Sequence, residues 1–301
     1  MRVAAIDCGT NSIRLLIADI EGSSLVDVSR QMQIVRLGQG VDRTGRLDPA
    51  ALDRTLAVLR EYASDISAAS ASRVRMVATS ATRDASNRDD FVRGVREVLG
   101  VDPEVVTGDE EAALSFAGAT RELSSGAPYL VVDIGGGSTE FVLGTTTVDA
   151  ALSVDVGCVR MTERHLQADP PTADQVSAAT ADIDAVLSDV REAVPVERAE
   201  TLVGLAGSVT TVAAIALGLP EYDAERIHHS RISAADVRRV TDQLLAMSHD
   251  DRAALPVIHP GRVDVIGAGA LILATLMDRF GFSEVVVSEH DILDGIAWSL
   301  V

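Results

Sequence analysis

Asp7-Cys-Gly-Thr-Asn-Ser-Ile-Arg14 and Asp133-Ile-Gly-Gly-Gly-Ser-Thr-Glu140 are two copies of one phrase, set 126 residues apart with no gap between aligned positions. Each copy follows a short apolar run (Val3–Ile6 and Tyr129–Val132) and leads into another (Leu15–Ile20 and Phe141–Leu143). Each therefore reads as strand, tight glycine turn, strand. Glycine lets a backbone approach an anion closely, so successive amides can point into one concavity and cradle phosphate oxygens. An aspartate at the mouth of such a loop can hold a divalent cation, directly or through water. Two such loops on two similar domains point to a polyphosphate ester or anhydride gripped in a cleft between them.

Composition sets the outer bounds. A chain of 301 residues is expected to form about two domains, and 47% hydrophobic content is ample for packed cores. The longest apolar stretch, Val265 to Met277, lies between Asp264 and Asp278 and is too short and glycine-broken to span a bilayer. The chain opens directly on a strand that meets Asp7, so no signal-peptide core is expected. Two cysteines, Cys8 and Cys158, cannot form a disulfide framework; they suit a reducing cytoplasmic setting and read as packing residues.

The net charge is −19 and lysine is absent, so all 26 cationic residues are arginine. A P-loop NTPase needs G-x-x-x-x-G-K-[ST] and is excluded, as is Schiff-base chemistry. Any phosphate clamp must use arginine forks, backbone amides or metal. The acidic total disfavours nucleic-acid and membrane-surface binding. It also counts against a long polyanionic substrate unless arginines cluster where it binds.

Alternating α/β structure is predicted. Strands are expected at Val3–Asp7, Arg14–Ile20, Met32–Leu37, Val74–Ala78, Glu104–Val106, Tyr129–Asp133, Glu140–Leu143, Val148–Val154, Thr201–Leu205 and Glu284–Val287. Asp48-Pro49 predicts a capped helix with Leu52, Leu56, Leu59, Tyr62 and Ile66 on its buried face. Thr172-x-x-Gln175 reads as a capping box ahead of Val176, Ala179, Ile183, Leu187 and Val190. Ser233 precedes a stripe of Val237, Val240, Leu244 and Met247, and Gly281 ends a further helix. The segment Glu122–Pro128 (ELSSGAP) is the expected hinge, dividing the chain into a domain of residues 1–121 and one of residues 122–301.

With Ala78-Thr-Ser-Ala-Thr-Arg83, Thr107-Gly-Asp-Glu-Glu-Ala112, His259-Pro-Gly-Arg-Val-Asp264 and Val287–Trp298 (VSEHDILDGIAW) added to the two loops, the chain resembles the exopolyphosphatase/guanosine pentaphosphatase (Ppx/GppA) family. The resemblance covers essentially the whole sequence and is to the short form of that family. It implies an α/β fold of two actin-like (ribonuclease H-like) domains with an interdomain cleft, in which the C-terminal helix can pack back on domain I. It implies Mg²⁺-dependent hydrolysis of terminal phosphoanhydride bonds of inorganic polyphosphate, with guanosine pentaphosphate (pppGpp) as the alternative substrate. A small-molecule kinase and a non-catalytic sensor of the same polyphosphates are the competing classes. A homodimer is left open, since no stripe identifies a face.

Read as a bare sequence, Glu110-Glu111 is an acidic pair complementing a helix dipole. The resemblance makes the second member, Glu111, the general base that takes a proton from water attacking the terminal phosphorus. It makes Asp133 and Glu140 Mg²⁺ ligands, with Asp7 assisting. Gly135, Gly136, Gly137, Ser138 and Thr139, together with Gly9, Thr10, Asn11, Ser12, Arg14, Arg83 and Arg262, become phosphate-binding residues. Gly204-Leu-Ala-Gly207-Ser208 reads equally as an anion-binding helix start or as close strand–helix packing. In the family, Cys158 holds a substrate-side position. His228-His229 lacks a second ligand cluster at zinc spacing, which argues against a metal role, and His290 has no assigned role.

Overall fold

The computed structural model describes residues 1–22, 24–123 and 126–301. The expected hinge therefore falls partly outside it, since Ser124 and Ser125 are not among the described residues. The chain divides into two compact units, one of Met1–Gly118 with Ile292–Val301 and one of Ala119–Asp291.

The strands are β1 (Arg2–Cys8), β2 (Ser12–Glu21), β3 (Ser24–Ile34), β4 (Arg73–Ala78), β5 (Glu104–Val105), β6 (Tyr129–Ile134), β7 (Thr139–Gly144), β8 (Val148–Val154), β9 (Thr201–Leu205), β10 (Arg231–Ser233) and β11 (Glu284–Val287). Among the described residues, the first unit holds a sheet of order β3-β2-β1-β4-β5 and the second one of order β10-β11-β9-β6-β7-β8. In both, an antiparallel hairpin joins a strand whose other neighbour runs parallel to it: β1 pairs β2 and β4, while β6 pairs β7 and β9.

The duplicated phrase folds in one register. Asp7 faces Arg14 and Cys8 faces Ile13 in the first hairpin; Asp133 faces Glu140 and Ile134 faces Thr139 in the second. The turn is closed the same way in each, by Gly9 N–H to Ser12 O at 2.9 Å and by Gly135 N–H to Ser138 O at 3.0 Å.

Side chains alternate across β1, and both faces are covered. Ala4, Ile6 and Cys8 pack with Leu59, Tyr62 and Ile66 of the Pro49–Ala68 helix and with Phe91 and Val95 of the Arg88–Leu99 helix. Val3 and Ala5 face the other way, onto Ile292, Leu293 and Ile296 of the Ile292–Trp298 helix. Burial on both faces explains the unbroken apolar run at Val3–Ile6, which alternation alone would not produce. Each such buried aliphatic side chain contributes about 1.5–3 kcal/mol. Asp48 caps the Pro49–Ala68 helix through Ala51 N–H at 3.1 Å, and the Tyr62 hydroxyl donates to Ile13 O at 3.1 Å, tying that helix to β2. In the second unit the Ala173–Ala193, Ala206–Ala216, Ala234–Ala246 and Ile266–Phe280 helices bury one large cluster against its sheet.

Four expectations need correction. The strand expected at Met32–Leu37 runs instead from Ser24 to Ile34, because β3 pairs along the whole of β2 while Val35 and Leu37 turn inward beyond it. Leu52 and Leu56 are only half-buried, since the Pro49–Ala68 helix turns Ala51 and Thr55 to the core. Met247 falls one residue past the Ala234–Ala246 helix, whose buried face uses Thr241 as well. The short strand β10 has no counterpart among the expected elements.

In the first unit, the Ile292–Trp298 helix meets the Gly108–Thr120 helix backbone to backbone. A Cβ on Gly295 would lie 2.0 Å from Leu114 O, an atom that cannot swing aside. Gly295→Ala is expected to destabilise the fold by about 1–3 kcal/mol through overpacking, read as a lowered denaturant midpoint.

Candidate active site

In the first unit the glycine loop, the Ser80–Asp84 helix and the start of the Gly108–Thr120 helix form one connected group. The hydroxyls of Thr10 and Ser80 meet at 2.9 Å in a buried contact. The carbonyl of Thr10 accepts from Gly38 N–H, and that of Asn11 accepts from Val35 and Arg36 N–H, so the loop backbone is fixed on its inner side. Arg83 follows on the same short helix and donates from one terminal nitrogen to Glu111 Oε2 at 3.1 Å and to Val106 O at 3.2 Å.

The two adjacent glutamates do different work. Glu110 Oε2 accepts from Thr107 N–H at 3.0 Å while Glu110 N–H donates to the Thr107 hydroxyl at 3.2 Å. That reciprocal pair is a capping box, and it commits Glu110 to the helix end. Glu111 is only 8% exposed and turns to Arg83. A buried carboxylate facing an arginine is a suitable proton acceptor. Arg14 goes to Asp7, donating twice to Oδ2 at 3.0 and 2.7 Å.

In the second unit the glycine loop is anchored by the Cys158–Arg164 helix. Gly135 O accepts from Cys158 N–H at 2.9 Å, Gly136 O from Val159 N–H at 2.8 Å and Arg160 N–H at 3.1 Å, and Gly137 O from Arg160 Nε at 2.6 Å. In a trans peptide the N–H points opposite to the carbonyl it is bonded to. With three successive carbonyls turned to that helix, the amides of Gly136, Gly137 and Ser138 turn away from it together. Three convergent amides make an anion cradle. Gly157 permits this approach: a Cβ there would lie 2.4 Å from Gly136 O and 2.6 Å from the Gly137 carbonyl carbon. Thr139 is held inward by its hydroxyl bond to Val156 O at 2.6 Å.

Asp133 and Glu140 sit opposite each other at the root of this loop, 7% and 1% exposed, and Ser153 donates to Glu140 Oε1 at 2.8 Å. The repeat inverts charge here: Arg14 occupies in the first hairpin the place that Glu140 occupies in the second. Two buried carboxylates in cross-strand register form an oxygen-only donor set suited to a hard divalent ion such as Mg²⁺.

Arg262, in the His259–Asp264 motif, lies against Gly207, where a Cβ would come 1.5 Å from its guanidinium. Cys158 is buried beside it; burial pushes its thiol up, with Arg262 and Ser208 only partly opposing. Burial pushes the Cys8 thiol up as well. Neither cysteine is poised as a nucleophile. Sequence reasoning missed Ser80, Gly157, Arg160 and Ser153, which buttress the loops; only contacts between distant segments reveal them. No helix among the described residues is long and apolar enough to cross a membrane.

The sequence profile of the Ppx/GppA phosphatase family matches residues 16–301. The chain is 53% identical to Exopolyphosphatase 2 of Mycobacterium tuberculosis over 99% of this chain and 98% of that one. It is 28% identical to the guanosine-5'-triphosphate,3'-diphosphate pyrophosphatase of Aeromonas salmonicida, over 99% of this chain and 59% of that protein. The crystal structure of the Aquifex aeolicus member of the Ppx/GppA family superposes with a TM-score of 0.85 at 31% identity, covering all of this chain and 98% of the other. The chain belongs to the Ppx/GppA phosphatase family, with the α/β, two-domain actin-like fold of its enzymes.

Proposed function

We propose that this Ppx/GppA phosphatase hydrolyses the terminal phosphoanhydride bond of inorganic polyphosphate and releases orthophosphate. The observation that carries the reading is Glu111: buried, set 3.1 Å from Arg83, and spared from helix capping by Glu110. Near full-length identity of 53% to an exopolyphosphatase supports the substrate class.

Glu111 takes the proton from a water whose oxygen bonds to the terminal phosphorus, while the bridging oxygen leaves with the electron pair of the broken bond. Arg83 orients Glu111 and turns partly to the phosphoryl oxygens as charge builds there. The amides of Gly136, Gly137 and Ser138 hold phosphate, as do, in the first unit, Gly9, Thr10, Asn11 and Ser12; the Thr139 hydroxyl, spent on Val156 O, braces the loop instead. Arg262 adds a guanidinium and Arg14 orients Asp7. Asp133 and Glu140 would hold Mg²⁺, which when bound neutralises phosphate charge.

Replacement of Asp133 by Asn is expected to raise the magnesium concentration needed for half-maximal activity at least ~10-fold. An unchanged magnesium titration would remove Asp133 from that role. A phosphate-release panel over short and long polyphosphate, pppGpp and ATP, with and without Mg²⁺, tests the whole reading. Release from polyphosphate without any acceptor is expected, and acceptor-dependent consumption of ATP would instead indicate a kinase. The pppGpp arm is included because one relative is named for that substrate.

A further inference from the structure

The second unit gathers three histidines around one carboxylate, away from the glycine loop in sequence. Glu122, His228 and His229 each bring a ligand-capable atom within 4.8 Å of the others. His290 Nδ1 lies 3.5 Å from Glu122 Oε2. The His228 ring is stacked on His229 at 3.7 Å between centroids and lies 4.6 Å from His290. These residues come from segments far apart in sequence, so no spacing pattern announces them.

The hydrogen bonds give each member a part. His228 Nδ1 accepts from Glu289 N–H at 3.1 Å. A neutral ring with an accepting Nδ1 carries its proton on Nε2. That Nε2 lies 3.3 Å from Glu122 Oε2 and donates to the carboxylate; an ion bound between them would displace this proton and take the nitrogen lone pair. His229 has a left-handed backbone, φ 59°, secured by its N–H to Val287 O at 2.6 Å. A conformation that few non-glycine residues adopt is retained here, and it sets the direction of the His229 ring.

We propose that Glu122, His228 and His229 bind one divalent transition-metal ion of the Zn²⁺ class, with His290 as the residue that steadies the Glu122 carboxylate. Imidazole nitrogen favours Zn²⁺-like ions over Mg²⁺, which sets this site apart from the oxygen-only pair Asp133 and Glu140. Three protein ligands leave a coordination position for water. The placement gives the ion a role: Glu122 lies just past Gly118, where the chain leaves the first unit, and His290 just before Ile292, where it returns. A bound ion ties the outgoing segment at Glu122 to the His228-His229 turn, with the returning segment at His290 beside them.

The test uses the full chain stripped with a chelator and dialysed against Zn²⁺ in millimolar Mg²⁺, with Co²⁺ as a spectroscopic probe. One Zn²⁺ per chain is expected. His229→Asn, which tolerates the left-handed backbone, His290→Gln, and Glu122→Gln at its exposed position should each weaken binding at least ~10-fold. Polyphosphate turnover in Mg²⁺ alone should be unchanged in all three. His228→Phe keeps a ring for stacking but removes a ligand nitrogen, and should alter the Co²⁺ absorption bands as well as weaken Zn²⁺ binding. Absence of stoichiometric Zn²⁺ in the wild type would overturn the proposal. So would Zn²⁺ binding that Glu122→Gln and His229→Asn leave unaltered, because the ion would then reside elsewhere.

Discussion

Glu111→Gln is expected to bind polyphosphate as the wild type does and to release orthophosphate at least ~10²-fold more slowly. Glutamine preserves the size of the side chain and an oxygen that can accept from Arg83, which lies 3.1 Å from Glu111 Oε2. The substitution therefore removes proton acceptance and leaves packing in place. The loss should appear in kcat, with KM little changed, because the carboxylate acts on the attacking water and not on the bound phosphate. Glu110→Gln serves as the contrast. Its carboxylate closes a capping box with Thr107, and a glutamine can close the same box, so its turnover should stay near wild type. Wild-type turnover in Glu111→Gln, or equal losses in both variants, would remove Glu111 from the chemistry.

The second large effect is expected from Gly157→Ala. The atoms a Cβ would strike are Gly136 O at 2.4 Å and the carbonyl carbons of Gly136 and Gly137 at 2.5 and 2.6 Å, all of them backbone. No side chain can rotate to relieve the contact, so the loop itself must shift. The carbonyls of Gly135, Gly136 and Gly137 are fastened to the helix that Gly157 precedes, so a shift there turns the amides of Gly136, Gly137 and Ser138 off their common direction. A displacement of this kind, on the order of 1 Å, can cost about 10²-fold in kcat/KM. The accompanying loss of stability should stay near 1–3 kcal/mol, so the protein is expected to fold and yet fail to hold substrate. Steady-state kinetics paired with a denaturant titration separates the two effects. Unimpaired affinity would show that this loop does not seat phosphate.

The duplicated phrase was legible because its chemistry is local: a glycine turn between two apolar runs leaves the same signature wherever it occurs, and both hairpins close through the same backbone bond. The caps at Asp48, Thr172 and Ser233 were legible for the same reason, each being settled within three residues. β3 was not, because it is an edge strand rich in serine, aspartate, arginine and glutamine, with Val26 and Val28 exposed; its pairing partner, not its own composition, makes it a strand. Leu52 and Leu56 misled because apolar spacing marks a helix face without fixing which edge of that face the core covers. The roles of Glu110 and Glu111 could not be separated by any local rule, since both suit the first turn of a helix. His228-His229 reads in sequence as a pair without further ligands, because Glu122 and His290 come near it only through the fold.

The Ile292–Trp298 helix belongs to the first unit, although the whole of the second is threaded between them. During translation the inner module is therefore delivered complete, while the outer one still lacks the piece that covers Val3, Ala5, Leu16 and Val77. Modules usually close in the order the ribosome releases them. Here that order is inverted for the outer sheet, which must wait, with one greasy side bare, until the segment from Ile292 has been made. A nascent chain stalled before Ile292 would be a natural client for a holding chaperone.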